Sequence, residues 1–501
     1  MSAASRGTVR VRNGGVVALG ALPPLEPDEF RAVCGVALTA GGRLVALPAF
    51  ALGTDDGRDV FAVIANDDES ELTVTRTRLA RGAGFDALTP EFPEAQAFER
   101  ELFEDHGIIP VGHPWLKPLR QAHLKTDAAQ HTFFSVDGDG IHEVAVGPVH
   151  AGVIEPGHFR FQCAGEDVLH LEIHLGYQHR GAERLLVLGS PARRIAVAES
   201  IAGDTAVGHA LAYAHVIESL AGVRPPLAAQ TIRGLALELE RVANHVGDLG
   251  ALANDVAFLP AAAWFGRLRG EFLNLLMALS GNRYGRGLVV TGGVRFGLPS
   301  DMRQAFTAKL AETEADLRAT AETLFSSPSV SSRFEQTGVV SDATAEDLGL
   351  VGVVARASHV ARDARRDHPI GIYRFVHIPL ALAETGDVMA RAVVRWIEVQ
   401  RSLTFLREQI AELAEGPLRT PSTAADSFAP DSLAVALIEG WRGEIAHVAA
   451  TNGSGDLRGY KVVDPSFHNW FGLAMALRDN AISDFPLCNK SFNLSYAGHD
   501  L

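Results

Sequence analysis

The chain has 501 residues, 47% of them hydrophobic and 21% charged, with a formal net charge of −15. That length implies two or three domains, and that composition a globular protein. The acidic balance excludes nucleic acid as a partner, no apolar run is long enough to span a bilayer, and the three cysteines, Cys34, Cys163 and Cys488, form no CxxC pair.

Residues 1 to about 140 read as a small α/β module. "RLVALPAF", "DVFAVIA" and "ELTVTRTRL" have strand character, and "FPEAQAFERELFEDHGIIPVGHPWLKPL" is an acidic helix running into a Pro/Gly turn region. "HTFFSV" and "IHEVAVGPV" continue as strands. "FRFQCAGEDVLHLEI" is a hairpin turning at Ala164-Gly165-Glu166-Asp167. From about residue 190 the chain turns helical. Apolar residues recur at Ile232, Leu235, Leu239, Val242, Val246 and Leu249, and again from Met389 through Val393, Trp396, Leu403, Leu406, Ile410 and Leu413. These are the 3.6-residue stripes of long helices packed as a bundle, and the stripes themselves are core. Residues 415–432 form a Pro/Ser-rich surface loop, and residues 459–501 read as short elements. The fold class is therefore α+β.

"ESIAGDTAVGH", residues 199–209, is the unusual stretch. Read as one Ala-rich helix, it places 202, 205 and 209 on one face, yet it carries Gly203 and Gly208, each costing about 1 kcal/mol against Ala. Asp204 sits among apolar neighbours, with Arg193, Arg194 or Arg241 as candidate partners. "HLEIHLGYQH" puts His170 and His174 on one strand face, but no carboxylate or thiolate spacing completes a metal site. Neither a P-loop, a dinucleotide fingerprint nor a nucleophile motif occurs.

Several stretches together resemble one superfamily. "GPVHAGVIEPGHFRF", "HLGYQHRGAERL", "LELERVANHVGDLGAL", "VVARASHVARDAR", "WRGEIAH" and "DPSFHNW" resemble the large subunit of energy-converting, membrane-bound NiFe hydrogenases of the formate hydrogenlyase type, and the homologous D subunit of complex I. "FERELFEDHGIIPVGHPWLKPLR" resembles the C subunit of complex I. The resemblance implies a domain like that C subunit over 1–140. It implies a large-subunit domain, like the D subunit, over 141–501, with a β hairpin and a long-helix bundle.

A hydrogenase of this type reads E-R-V-C-G-I-C-x-x-x-H where this chain has residues 199–209, and D-P-C-x-x-C-x-x-R near its end. Laid on this sequence, the four thiolate positions fall on Ala202, Thr205, Ser495 and Gly498, while Glu199, Gly203 and His209 match. Nickel and iron of that centre require soft, deprotonated sulfur, so the resemblance implies a nickel-free site and argues against an active formate hydrogenlyase. The two glycines are then expected to be close packing around a buried cavity. Complex I uses that cavity for a quinone headgroup, with a tyrosine where this chain has Gly203, and a histidine matched by His158 or His150. Glu183 aligns with the family's proton-transfer acid. A site lined by Glu183, His158, His209, Ala202 and Ser495 is expected, with Glu183 and His209 carrying the chemistry and His150, Thr205 and Gly498 bordering it.

The implied setting is the cytoplasmic side of a membrane complex. No cofactor is expected in this chain. A 4Fe–4S cluster belongs to a small partner resembling the B subunit of complex I, accompanied by a ferredoxin-like protein and antiporter-like membrane proteins, with a quinone as one acceptor. The alternative is a structural or coupling subunit without redox chemistry, in a complex that moves ions or hydrates a small molecule. No secretion signal is read at the start, and an uncut C-terminus at Leu501 is expected.

Overall fold

The computed structural model describes residues 7–53, 56–120, 133–152, 154–420 and 427–501. An antiparallel sheet near the N-terminus orders Thr8–Val11, Glu71–Leu79, Arg58–Asn66 and Arg43–Ala46, with Ala49–Phe50 also pairing on Arg58–Asn66. Helix Pro27–Thr39, entered through a proline at its first turn, packs on it. The hairpin His158–Ala164 with Asp167–His174 forms as the sequence reads, Ala164 opposite Asp167, and Ile141–Val146 adds a third strand. Of the strand expected at "HTFFSV", His131 and Thr132 lie outside the described residues, and 133–136 form no strand.

The two long stripes become helices Leu227–Asp255 and Val388–Glu412. The first starts directly after Pro226, and Asp387 caps the second by accepting from the Ala390 N–H. With Leu259–Ser280 and Ser300–Phe325 they bury the largest apolar cluster.

Residues 432–463 join Val16–Ala18 in a sheet ordered Leu457–Val463, Glu444–Thr451, Ser432–Glu439 and Val16–Ala18. Its fourth strand comes from the N-terminal region, so the two ends of the chain share one sheet. Both faces are covered. Leu433, Val435 and Leu437 join the core of the N-terminal region, while Ala434 and Ala436 face a cluster containing Tyr213 of helix Ala206–Ala221. Burial on both faces explains "SLAVALIE": a doubly covered strand needs no alternation.

Residues 199–209 are not one helix. Helix Pro191–Ala198 ends, 199–205 turn, and helix Ala206–Ala221 starts after Thr205. The expectation of a shared face for 202, 205 and 209 is corrected accordingly. A Cβ on Gly203 would meet nothing within 4 Å, so this glycine reflects the turn and not close packing. Gly208 is closely packed, against side chains: its Cβ would lie 2.9 Å from Ile445 Cδ1 and 3.1 Å from Thr205 Cγ2. Gly203→Ala is expected to leave stability unchanged or raise it by up to about 1 kcal/mol. Gly208→Ala should lower it by about 1–3 kcal/mol. Denaturant titration of both variants checks the contrast.

Candidate functional site

The turn at 199–205 sets the site. Helix Ala206–Ala221 begins against a buried carboxylate: Glu240 accepts from Val207 N at 2.7 Å and Gly208 N at 3.1 Å, and burial pushes its carboxyl up to about 8. This anchors Thr205 just before the helix and His209 in its first turn.

Asp204 pairs with none of the arginines expected from sequence. Its partner is Arg442, whose Nη1 and Nη2 lie 2.6 and 2.8 Å from its two carboxylate oxygens. Arg442 also donates to Thr205 Oγ1 at 3.1 Å and to the Asn493 carbonyl at 2.5 Å, and lies over the Trp441 ring at 3.9 Å. The guanidinium holds the Asp204 carboxyl below its ordinary value against the opposing effect of burial.

The Thr205 hydroxyl accepts from Arg442 and from Trp441 Nε1, at 3.1 Å each, and donates to Asp204 Oδ1 at 3.1 Å. A hydroxyl has one donor and two acceptor lone pairs, so every one is used. At the other end of the chain, Ser495 caps the last helical turn by accepting from Gly498 N at 2.9 Å. A Cβ on Gly498 would meet Asp464 Cγ at 2.6 Å and its two oxygens at 2.7 and 2.8 Å. Asp464 is itself the cap of helix Pro465–Ala476 and accepts from Ser466 N at 2.8 Å.

The two ends of the ligand motif are thus bridged twice, by Arg442 between Thr205 and Asn493, and by Asp464 between His209 and Gly498. A nickel–iron centre does not fit these residues. Two of the four positions offer no ligand atom, the Thr205 hydroxyl is saturated, and a guanidinium crosses the site. Among the described residues, no three His, Cys, Asp or Glu side chains group in a way that could hold a metal ion.

His209 is fully buried. Its Nε2 lies 3.0 Å from Asp464 Oδ2 and its Nδ1 3.2 Å from His447 Nε2. His447 Nδ1 in turn lies 2.8 Å from the Tyr460 hydroxyl. Burial, reinforced by His209, holds His447 well below the usual histidine range, and burial raises the Tyr460 phenol.

Glu183 belongs to helix Ala182–Leu188, which packs beside strand Leu457–Val463. It accepts from Val462 N at 2.9 Å and pairs with Lys461 at 2.9 Å, and burial is the main cause of its raised carboxyl. His150 lies in the loop before the hairpin and His158 opens its first strand; Nε2 of His150 lies 2.8 Å from the Gly157 carbonyl and Nδ1 of His158 lies 3.2 Å from that of Gly147. The loop reaches the C-terminal segment, Gly157 packing on the Tyr496 ring and Glu155 bonding the Tyr496 backbone. Ala202 is buried in the turn. Thr205, His209, Ser495 and Gly498 therefore converge through Arg442 and Asp464, while Glu183 and the two loop histidines bond elsewhere. Sequence reading missed Arg442, Asp464, His447 and Tyr460. The first three stand inside "WRGEIAH" and "DPSFHNW", so the signal was present.

Residues 255–431 match the family described as respiratory-chain NADH dehydrogenase, 49 Kd subunit. The chain is 32% identical over 351 residues to the carbon monoxide-induced hydrogenase of Rhodospirillum rubrum, covering 70% of this chain and 96% of that protein. The chain belongs to this family of hydrogenase large subunits and complex I 49 kDa subunits. It is of the fused type: over 441 residues it is 30% identical to formate hydrogenlyase subunit 5 of Escherichia coli (strain K12), covering 83% of this chain and 77% of that one. NADH-quinone oxidoreductase subunit 4 of Thermus thermophilus is 29% identical over 364 residues, 68% of this chain and 89% of its own.

Proposed function

We propose that this chain is a nickel-free, hydrogenase-like subunit of a membrane-associated respiratory complex. In this reading it takes part in electron transfer from a 4Fe–4S cluster of a small partner subunit to an acceptor such as a quinone, coupled to ion translocation. The N-terminal region does the work that a separate C subunit does in complex I. The observation that carries the reading is the replacement of a metal site by a polar one. Arg442, Asp204, Asp464 and His209 put ionisable groups where the thiolates would stand, which suits proton-coupled chemistry better than metal binding. Among the described residues no helix is long and apolar enough to cross a membrane, so attachment would come from partners.

The loop at 147–158 supports docking beside this site. Val149 is 80% exposed and Ile154 55%, large apolar side chains on a loop already tied to Tyr496. Docking of the small subunit should protect this loop and 493–501 from hydrogen exchange. A double Val149→Asp, Ile154→Asp variant should lose most of the partner on purification. A second reading, a coupling subunit with no acceptor, is favoured by Gly203, which offers no phenol for a quinone carbonyl. The intact complex separates the two. Reoxidation of the reduced partner cluster by a short-chain quinone, slowed by Arg442→Lys, supports electron transfer. A cluster that quinone never reoxidises leaves the coupling reading.

A further inference from the structure

The groups Tyr460, His447, His209 and Asp464 form one unbranched line of hydrogen bonds, with spacings of 2.8, 3.2 and 3.0 Å. All four residues are buried, at 4%, 0%, 0% and 1% exposure. Each belongs to a different segment: strand Leu457–Val463, strand Glu444–Thr451, helix Ala206–Ala221 and the cap of helix Pro465–Ala476.

The line has a definite polarity. The buried Tyr460 phenol has no other acceptor among the described residues, so its O–H donates to His447 Nδ1. That leaves His447 with its proton on Nε2, which donates to His209 Nδ1. His209 then carries its own proton on Nε2 and donates it to Asp464 Oδ2. Asp464 accepts as a carboxylate, its other oxygen taken by Ser466 N. Every donor meets an acceptor, and neither ring has a free choice of tautomer.

We propose that this line is a proton relay ending at the vacated metal site. In this relay a proton arrives at the Tyr460 oxygen, the end of the line opposite Asp464. As it binds, the phenol's own proton passes to His447 Nδ1. The His447 Nε2–H bond breaks as a bond forms to His209 Nδ1, and the His209 Nε2–H bond breaks as Asp464 Oδ2 is protonated. One proton has entered and one rests on Asp464. Both rings stay neutral in the opposite tautomer, and no electrons move. Asp464 is the group against which Gly498 packs, so the proton is delivered at a former thiolate position. The inference does not depend on which acceptor the complex uses.

The relay makes the tautomers of the two histidines interdependent, and solid-state 15N NMR of the labelled full chain in its complex reads them directly. His209→Gln and His447→Gln assign the signals. The expected result is the Nε2–H form for both rings, with a scalar coupling across the His447 Nε2–H to His209 Nδ1 bond. In Asp464→Asn, the side-chain oxygen stays on Ser466 N and turns the amide group toward His209. His209 then shifts to Nδ1–H, and His447, one ring further, must shift with it. A His447 tautomer unchanged by Asp464→Asn overturns the relay. Should that variant not fold, the parent protein decides: either ring as Nδ1–H or as imidazolium overturns it.

Discussion

Gly498→Ala lowers stability by about 3 kcal/mol or more. The new Cβ would sit 2.6 Å from Asp464 Cγ. The carboxylate cannot retreat without losing Ser466 N at 2.8 Å and His209 Nε2 at 3.0 Å, both in a buried setting. Overpacking costs about 1–3 kcal/mol, and a buried group left unsatisfied about 1–3 kcal/mol more. A cysteine there adds a sulfur to the same clash, so restoring the family's thiolate damages the fold. Ser495→Ala, which removes only a cap, should cost about 1 kcal/mol. Thermal or denaturant unfolding compares them. A Gly498→Ala protein as stable as its parent would show that the site is open.

Lys461→Met should be the other severe change. Its ammonium lies 2.7 Å from Glu101 and 2.9 Å from Glu183, and the lysine is only 5% exposed. Glu101 belongs to helix Gln96–His106 and also pairs with Arg120 at 2.5 Å. The lysine therefore ties the N-terminal region to the C-terminal sheet and to the helix of Glu183. Removing one partner of a buried pair costs about 3–5 kcal/mol, reduced here because Glu183 can take up a proton. The pH dependence identifies the cause. Lys461 and Arg120 lower the Glu101 carboxyl from 4.5 to about 2 against burial. A depressed carboxyl stabilises above its unfolded value, so this contribution is full above pH 4.5 and disappears as pH falls toward 2. At about 1.4 kcal/mol per unit it amounts to roughly 3 kcal/mol. Glu183, shifted upward, opposes part of that slope. Unfolding midpoints between about pH 6 and about pH 3 should converge for the parent and Lys461→Met. Parallel curves would remove Glu101 from the explanation.

What the sequence made legible follows from period and length. The stripes at Ile232–Leu249 and Met389–Leu413 are long enough to be unambiguous, and the hairpin carries its own turn signal. Strand Ser432–Glu439 was hidden because burial on both faces erases alternation. Residues 199–205 read as helix because Ala-rich sequence favours it locally, whereas the paired Asp204 and Arg442 hold a turn across 238 positions of chain. The same distance hid the site's chemistry. That thiolates are missing at Ala202, Thr205, Ser495 and Gly498 is visible in sequence. That Arg442 and Asp464 bridge those positions is visible only once strand and helix bring them together.

Nickel content tests the central claim most directly. The complex is expressed with the hydrogenase maturation machinery, in medium containing nickel, and metals are measured per copy of this chain beside hydrogen evolution. The expected result is background nickel and no hydrogen activity in an assembled complex, because Thr205 is saturated and Arg442 crosses the site. Near-stoichiometric nickel that stays with the chain through purification would contradict it.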